Sequence, residues 1–305
     1  LLGTASLHII VEVEGEGHTA LVEIVDAHTN IVREERDGEV LFRAEGSAVQ
    51  KEQARRQQMT VAQIYDFACT APLEELKAVL KDQVEYNLTI AEEGLRRDYG
   101  VGVGRTLLSG GEQDARRKAV AYAAAGSDAR MSGCVLPVVV NSGSGNQGMT
   151  VSLPVIVYAR EMGMEEERLY RALALSNLVA IYQKSFLGEL SAYCGVVSAA
   201  CGSAAGLAYL CGEGLEVISD TIINTIANVS GMVCDGAKPS CAAKIATAVE
   251  AGFLGLDMAR RGHVFHEGEG LVQRDVDATI AAFGRMGREG MRSTDREILS
   301  IMVGE

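Results

Sequence analysis

Three of the seven cysteines have sequence settings that suit a metal centre. Cys194 stands directly before a glycine, Cys234 before an Asp-Gly pair, and Cys241 two residues after a proline. Thiolates from distant stretches can meet at one point if the backbone turns beside them, whereas a packing cysteine needs no turn. Three convergent thiolates without a histidine partner suit an iron–sulfur cluster better than catalytic zinc. There is no CxxC pair, so the spacing alone supports three buried cysteines in a core of small residues equally well.

Cys241 has the setting that most favours a thiolate. Pro239 suits the first turn of a helix that the sequence predicts through residues 242–251. Cys241 would then lie in that turn, where the helix dipole stabilises negative charge. Two other cysteines fall in an apolar helical stretch, where packing is the better interpretation. The cysteines predicted to be structural are Cys69, Cys134, Cys201 and Cys211.

A second motif has the composition of an anion-binding loop. It follows an apolar run, precedes an apolar helix, and mixes glycine with small polar residues: Asn141, Ser142, Gly143, Ser144, Gly145, Asn146, Gln147 and Gly148. Small residues let backbone N–H groups point into one concavity, and the helix N-terminus adds its own. The P-loop and dinucleotide-binding patterns are absent, so a small anion such as a carboxylate fits better than a nucleotide. The alternative is a flexible loop that caps the helix. The Asn and Gln side chains favour binding, and residues 141–147 are predicted to bind substrate.

Two histidines could supply acid–base chemistry. His18 and His28 are each followed by threonine and fall at predicted turns or strand ends, from which a side chain can reach a cleft. A lone histidine is more often structural or exposed, and the repeated form raises the functional interpretation modestly. Lys184 is a further catalytic candidate, and Asp235 and Lys238 are weaker ones.

The elements that must position these residues indicate an α+β fold. Strands are predicted over residues 7–14, 19–25, 31–36 and 39–42, with a strong Asp-Gly turn signal in the second hairpin. Pro72 opens a long amphipathic helix, and the pattern is almost wholly helical from residue 112 onward. We therefore predict a small antiparallel β-rich part over residues 1–58, a helical insertion or connector over 59–100, and a mainly helical cluster-binding domain over 101–305. The chain starts at Leu1 without Met, so the β-rich part is expected to be the end of a larger N-terminal domain.

Composition narrows the classes of partner. The net charge is −13, from 28 basic and 41 acidic residues, which disfavours nucleic acid and anionic membranes. Residues 190–212 carry no charge, but they are rich in Ala, Gly, Ser and Cys and stand between Glu189 and Glu213. A central helix of a soluble bundle is the better interpretation than a membrane span. An odd number of cysteines in a long acidic chain predicts reduced thiols and a cytoplasmic location.

Several stretches together resemble the L-cysteine desulfidase family, which is related to the alpha chain of iron–sulfur L-serine dehydratases. They span nearly the whole chain, and the last three are highly specific: residues 16–19, 28–31, 128–131, 142–148, 190–195 and 231–241. The resemblance implies an oxygen-sensitive [4Fe-4S] cluster held by Cys194, Cys234 and Cys241. One iron would lack a protein thiolate and could act as a Lewis acid on the substrate, with no need for PLP.

The resemblance also implies a reaction, an α,β-elimination that converts L-cysteine to pyruvate, ammonia and hydrogen sulfide. The alternatives are an L-serine dehydratase, with hydroxide as the leaving group, and a non-catalytic cluster-binding homologue. The expected partners are a small amino-acid substrate and, in a homodimer, a second copy of the chain. Family members carry an N-terminal Gly-Cys-Thr-Glu-Pro-like stretch whose cysteine is implicated in catalysis. The stretch at residues 69–72 lacks the Gly and the Glu, so that role is not transferred to Cys69.

Overall fold

The chain folds into an antiparallel sheet followed by packed helices in the computed structural model, which describes residues 7–26, 29–44, 53–188 and 191–304. The predicted α+β class is confirmed. Four strands pair in sequence order, each antiparallel to the next. Their bounds are β1 His8–Gly15, β2 His18–Val25, β3 Ile31–Arg36 and β4 Glu39–Arg43.

Tight turns explain why this part of the chain forms a meander. Asp37 and Gly38, at the predicted Asp-Gly turn, have φ values of 51° and 81°. Glu16 and Gly17, between β1 and β2, have φ values of 53° and 79°. Two consecutive residues with positive φ give a type I′ turn, whose twist matches that of the strands it joins. The predicted hairpins are therefore confirmed.

The rest of the described chain is helical. The helices are α1 Val61–Thr70, α2 Leu73–Arg96, α3 Val103–Leu108, α4 Ala115–Met131, α5 Gly145–Glu161, α6 Glu166–Leu187, α7 Gly195–Leu210, α8 Leu215–Val229, α9 Cys241–Ala259, α10 Val276–Arg285 and α11 Arg292–Val303, with a π-helical turn at Met286–Gly290. The long helix predicted to open at Pro72 is confirmed as α2, with Pro72 directly before its first residue.

Helix α7 is the centre of the helical part and packs against α5, α6, α8 and α9. Its small residues make this possible. Added Cβ atoms at Gly202 and Gly206 would collide with backbone carbonyl oxygens of α6. Thus the uncharged, Ala- and Gly-rich stretch is a central helix, as predicted. Across the described residues, no helix combines the length and apolarity that spanning a bilayer requires.

The hydrophobic core extends through the segment predicted to be a connector. Helix α2 packs against α4, α5 and α6. Buried residues of α1 and α2, such as Val61 and Ile90, belong to the same apolar cluster as those of α7. The predicted domain boundary near residue 100 stays a prediction, and the core continues across it.

Candidate functional site

Two of the three candidate cysteines are joined by a short backbone bridge. Tyr193 and Val233 pair in an isolated antiparallel bridge. The Cys234 amide donates to the Ala192 carbonyl at 2.6 Å, and the Cys194 amide donates back across the bridge at 3.1 Å. This pairing places the Cys194 and Cys234 thiols in hydrogen-bond contact. The segment before α7 and the segment before α9 therefore converge, as the turn residues predicted.

The two thiols are not equivalent. The hydrogen bond from Cys194 lowers the pKa of Cys234 to about 6 against the cost of burial, and the Gly236 amide and the Lys244 ammonium assist. The same hydrogen bond, together with burial, raises the pKa of Cys194. The lowered pKa favours the thiolate form of Cys234, with Cys194 as its hydrogen-bond donor.

Cys241 is the first residue of α9, and it is 9% exposed. Its thiol donates towards the Gly236 carbonyl at 3.7 Å, so the turn after Cys234 also contacts Cys241. The prediction that Cys241 lies in a first helical turn is confirmed. Pro239 lies two residues before the helix rather than within it.

Lys244 supplies positive charge to all three cysteines, and it was missed from sequence. It lies one helical turn after Cys241, and its ammonium forms an ion pair with Asp235. Burial acts to lower the pKa of Lys244, but Asp235 and the nearby Cys194 and Cys241 sulfurs outweigh it and raise that pKa. The i, i+3 spacing from Cys241 was the available signal. The predicted candidate Asp235 is therefore a neighbour of the thiols that holds Lys244, whereas Lys238 is exposed.

The three cysteines have the donor chemistry of an iron–sulfur site. All three are free of disulfides. No three His, Cys, Asp or Glu side chains of the described ranges surround a point where a single metal ion could bind. Thiolates of one cluster bind different irons and so stand further apart than ligands of one ion. A group of three thiols with a lysine cation beside it fits a cluster, which is anionic and takes soft sulfur ligands.

The other cysteines occupy packing positions. Cys201 is fully buried in α7, and burial raises its pKa to about 12. Cys211 caps the C-terminus of α7 rather than lying within it, with its sulfur 3.9 Å from the Tyr158 hydroxyl. Cys69 and Cys134 are partly buried beside tyrosines.

The glycine-rich motif consists of a closed turn followed by the start of α5. Asn141 and Ser144 exchange backbone hydrogen bonds of 3.2 and 3.0 Å around Ser142 and Gly143, which have φ values of 49° and 77°. The Asn141 amide donates to Asn177 and the Ser142 hydroxyl donates to Asn141, so these side chains have internal partners. Their predicted contact with substrate stays a prediction. The part of the motif with free donors is the start of the helix.

Residues at the start of α5 are buried and partly unsatisfied. The Ser144 hydroxyl accepts from the Gln147 amide, which caps the helix. The backbone amides of Gly145 and Asn146 have no acceptor among the described residues. Free amides at the beginning of a 17-residue helix favour an anion. Thus the anion-binding interpretation applies best to residues 145–147.

The glycine-rich motif and the cysteines meet at one contact. A Cβ added at Gly195 would stand 2.6 Å from the Gln147 side-chain amide. Gly195 begins α7 directly after Cys194, so the Gln147 side chain lies against the backbone of a candidate ligand. A larger residue at 195 would displace the Gln147 side chain from this position. The two predicted motifs are therefore neighbours in the structure, although Gln147 and Gly195 are 48 positions apart in the sequence.

The predicted acid–base residues are placed elsewhere or lie outside the described residues. His18 is in β2, 66% exposed, with its Nδ1 atom 2.9 Å from Asp37. Within the described part of the chain, no contact joins His18 to the cysteines. Lys184 binds the Gly188 carbonyl at the end of its own helix, at 2.7 Å. His28 lies outside the described residues. The catalytic roles of His18, His28 and Lys184 stay predictions.

Two further residues were missed as site components. Asn87 of α2 is fully buried, donates to Gly148 and Ser152, and accepts from the Val139 amide at 2.9 Å. It holds the glycine-rich motif against α2, and a lone Asn in an amphipathic helix gave no signal. Arg130 lies across Gly145, where an added Cβ would meet its Nε and Cδ atoms.

The sequence matches the family model described as "Serine dehydratase alpha chain" over residues 40–300. This range contains the three cysteines and the glycine-rich motif. A UPF0597 protein of Lachnoclostridium phytofermentans is 51% identical over 300 residues, which is 98% of this chain and 72% of the relative. A UPF0597 protein of Desulfitobacterium hafniense is 50% identical over 285 residues, or 93% and 66% of the two chains. A UPF0597 protein of Treponema denticola is 43% identical over 306 residues, or 98% and 71%. The names of these relatives specify no reaction.

Proposed function

This chain belongs to the serine dehydratase alpha chain family, and on that basis we propose that it is an iron–sulfur-dependent lyase acting on L-cysteine. The reaction is an α,β-elimination: Cα loses a proton, the Cβ–S bond breaks, and water converts the resulting aminoacrylate to pyruvate and ammonia. The sulfur leaves as hydrogen sulfide. The observation that carries the proposal is the contact of Gln147 with Gly195, because it joins an anion-binding helix start to the cysteine group.

The cysteines and Lys244 would hold the cofactor. Cys194, Cys234 and Cys241 are the proposed ligands of a [4Fe-4S] cluster. When bound, the cluster supplies an iron without a protein thiolate, a Lewis acid that makes sulfide a better leaving group. The Lys244 ammonium, oriented by Asp235, would compensate the negative charge that three thiolates bring into a largely buried site.

The start of α5 would hold the substrate. The free amides of Gly145 and Asn146 are donors for a carboxylate, and the helix dipole adds to their effect. Gln147 lies between that position and Cys194, so a bound amino acid would direct its side chain towards the cysteines. The buried surroundings of residues 145–147 exclude water and strengthen these interactions.

Turnover of two amino acids tests the proposal. Anaerobically purified, iron-reconstituted protein is incubated with L-cysteine and with L-serine, and sulfide and pyruvate are measured. We expect equimolar sulfide and pyruvate from L-cysteine, with none from the Cys194→Ala variant. Bound iron without release of product from either amino acid would contradict the proposal and leave a cluster-binding homologue.

A second candidate is an L-serine dehydratase, which the name of the matching family favours. The same residues would serve, with hydroxide leaving in place of sulfide. Pyruvate from L-serine at a kcat/KM above that for L-cysteine would establish this candidate instead. The two amino acids have the same α-carboxylate and α-ammonium groups, so residues 145–147 do not distinguish them.

A further inference from the structure

Arg130 is a half-buried cation beside the start of α5. It is the penultimate residue of α4 and only partly exposed. Across residues 7–26, 29–44, 53–188 and 191–304, no carboxylate, carbonyl or aromatic ring pairs with its guanidinium. Asp128, two positions earlier, interacts electrostatically with Arg105 rather than with Arg130, and one of its carboxylate oxygens accepts from the Gly104 amide. A guanidinium that has lost part of its hydration and gained no acceptor is ready to bind an anion.

The position of Arg130 indicates where that anion would bind. Its Nε and Cδ atoms lie over Gly145, the first residue of α5. The free Gly145 and Asn146 amides begin the same helix turn. Arg130 therefore approaches the helix start from the α4 side, while Gln147 lies against Gly195 and leads to Cys194.

Asn146 adds an independent observation that points to a ligand. The residue is 5% exposed, and its buried Oδ1 atom has no hydrogen-bond partner among the described residues. Its Nδ2 atom faces the Met131 sulfur at 3.5 Å. Because a thioether sulfur can accept but not donate, this contact leaves Oδ1 as the unsatisfied end of the amide. Met131 directly follows Arg130 in α4. The Asn146 Oδ1 acceptor and the Arg130 guanidinium therefore both lie at the N-terminal end of α5.

We propose that Arg130 and Asn146 recognise the zwitterion of an α-amino acid. Arg130, with the first amides of α5, binds the α-carboxylate, and Asn146 Oδ1 accepts a hydrogen bond from the α-ammonium. This inference rests on the proposed function for the reaction that the bound amino acid undergoes. The binding of the amino acid itself does not depend on that proposal. It makes Arg130 and Asn146 the residues that select amino acids over simple thiols, acids or amines.

Three unreactive probes separate the two roles. L-alanine carries both groups and has no leaving group, propionate carries only the carboxylate, and ethylamine only the ammonium. Their dissociation constants are measured by calorimetry on the iron-loaded protein. We expect Arg130→Gln to weaken L-alanine and propionate by about 10- to 100-fold and to leave ethylamine unchanged. Asn146→Ala is expected to weaken L-alanine and ethylamine by about 5- to 10-fold and to leave propionate unchanged.

The controls identify a merely structural role. Arg160→Gln changes an exposed arginine at the other end of α5 and is expected to alter no probe. Arg130→Lys keeps the charge without the planar fork and is expected to recover part of the propionate affinity. If Arg130→Gln does not fold, the same measurements are made on Arg130→Lys instead. Iron content and Tm are measured for every variant.

The pattern across the probes decides the outcome. Propionate binding that is unchanged in Arg130→Gln would overturn the assignment, and so would an equal loss of all three probes or a wild-type protein that binds none. Turnover of L-cysteine with a KM that Arg130→Gln does not change would retain the proposed function and refute this inference. Propionate binding that depends on Arg130, in a protein that turns over neither amino acid, would support this inference and refute the proposed function.

Discussion

The two halves of the candidate site are built in different ways. The half at the start of α5 is fixed by the polypeptide itself. Ser144 caps the helix, a closed turn precedes it, and Asn87 holds it against α2. In the other half, the Cys194 and Cys234 thiols share a hydrogen bond, and one backbone bridge and one helix start hold the three cysteines.

This difference indicates which half of the site depends on its ligand for its geometry. A preorganised half keeps its geometry whether or not substrate is present, which reduces the cost of binding. Within the described ranges, the thiols interact with one another, with backbone groups of Val196 and Gly236, and with the charge of Lys244, so a metal cluster would set their final arrangement. Changes in the first half should therefore affect folding or substrate affinity, and changes in the second should affect the cofactor.

Loss of any one proposed ligand should have the largest effect. Cys194→Ala, Cys234→Ala and Cys241→Ala are each expected to reduce bound iron after anaerobic reconstitution to background while the protein stays folded. Iron and sulfide analysis with circular dichroism checks this. Cys201→Ala is the matched control and should retain the cluster, with a packing cost of ~1 kcal/mol. Stoichiometric zinc in place of iron, or loss of iron from Cys201→Ala, would show that the ligands are assigned incorrectly.

A glycine in each half tests the difference in rigidity. A Cβ at Gly148 would meet the Val139 carbonyl, which is backbone and cannot move aside. Gly236 has a φ of 89° and open space around it. We expect Gly148→Ala to reduce the free energy of unfolding by ~3 kcal/mol or more and Gly236→Ala by ~1 kcal/mol. Urea denaturation measures both, and equal losses would contradict the comparison.

A valine at Gly145 tests the same half without a backbone collision. Its Cβ would meet the Arg130 and Val138 side chains, which can shift. Gly145→Val is therefore expected to lower kcat/KM for L-cysteine by about 100-fold, since it displaces Arg130 and covers the free amides. The iron content should stay normal. Normal kinetics in a folded variant would exclude the start of α5 from the active site.

The sequence predicted the strands, the hairpin turns, the central helix and the convergence of Cys194 with Cys234. Hydrophobic periodicity, turn residues and composition are properties of short stretches of sequence, so they can be recognised without knowledge of the fold. It did not predict Asn87, Arg130 or Lys244. Each acts through a neighbour that lies 9 to 61 positions away by number, and only the packed fold brings such pairs together. Lys244 had the weak signal of its spacing from Cys241. Arg130 lies in the stretch 128–131 that resembles the family, but nothing in that stretch indicated a role for its side chain.

The smallest expected effect concerns the Cys194–Cys234 thiol pair. Its measurement separates two causes of the low pKa of Cys234, the hydrogen bond from Cys194 and the charge of Lys244. Cysteine reacts as the thiolate, so alkylation of Cys234 by iodoacetamide in cluster-free protein should have its midpoint near the pKa of about 6, against an ordinary value of 9.0. Because that pKa is lowered in the folded protein, its stabilising contribution is complete above pH 9.0 and is lost as pH falls through about 6. Cys194→Ala removes the main cause and is expected to slow the reaction at pH 7 by about tenfold. Lys244→Gln removes a lesser cause and should slow it less. A midpoint that stays near 6 in Cys194→Ala would mean that the charge of Lys244, rather than the partner thiol, makes Cys234 a thiolate.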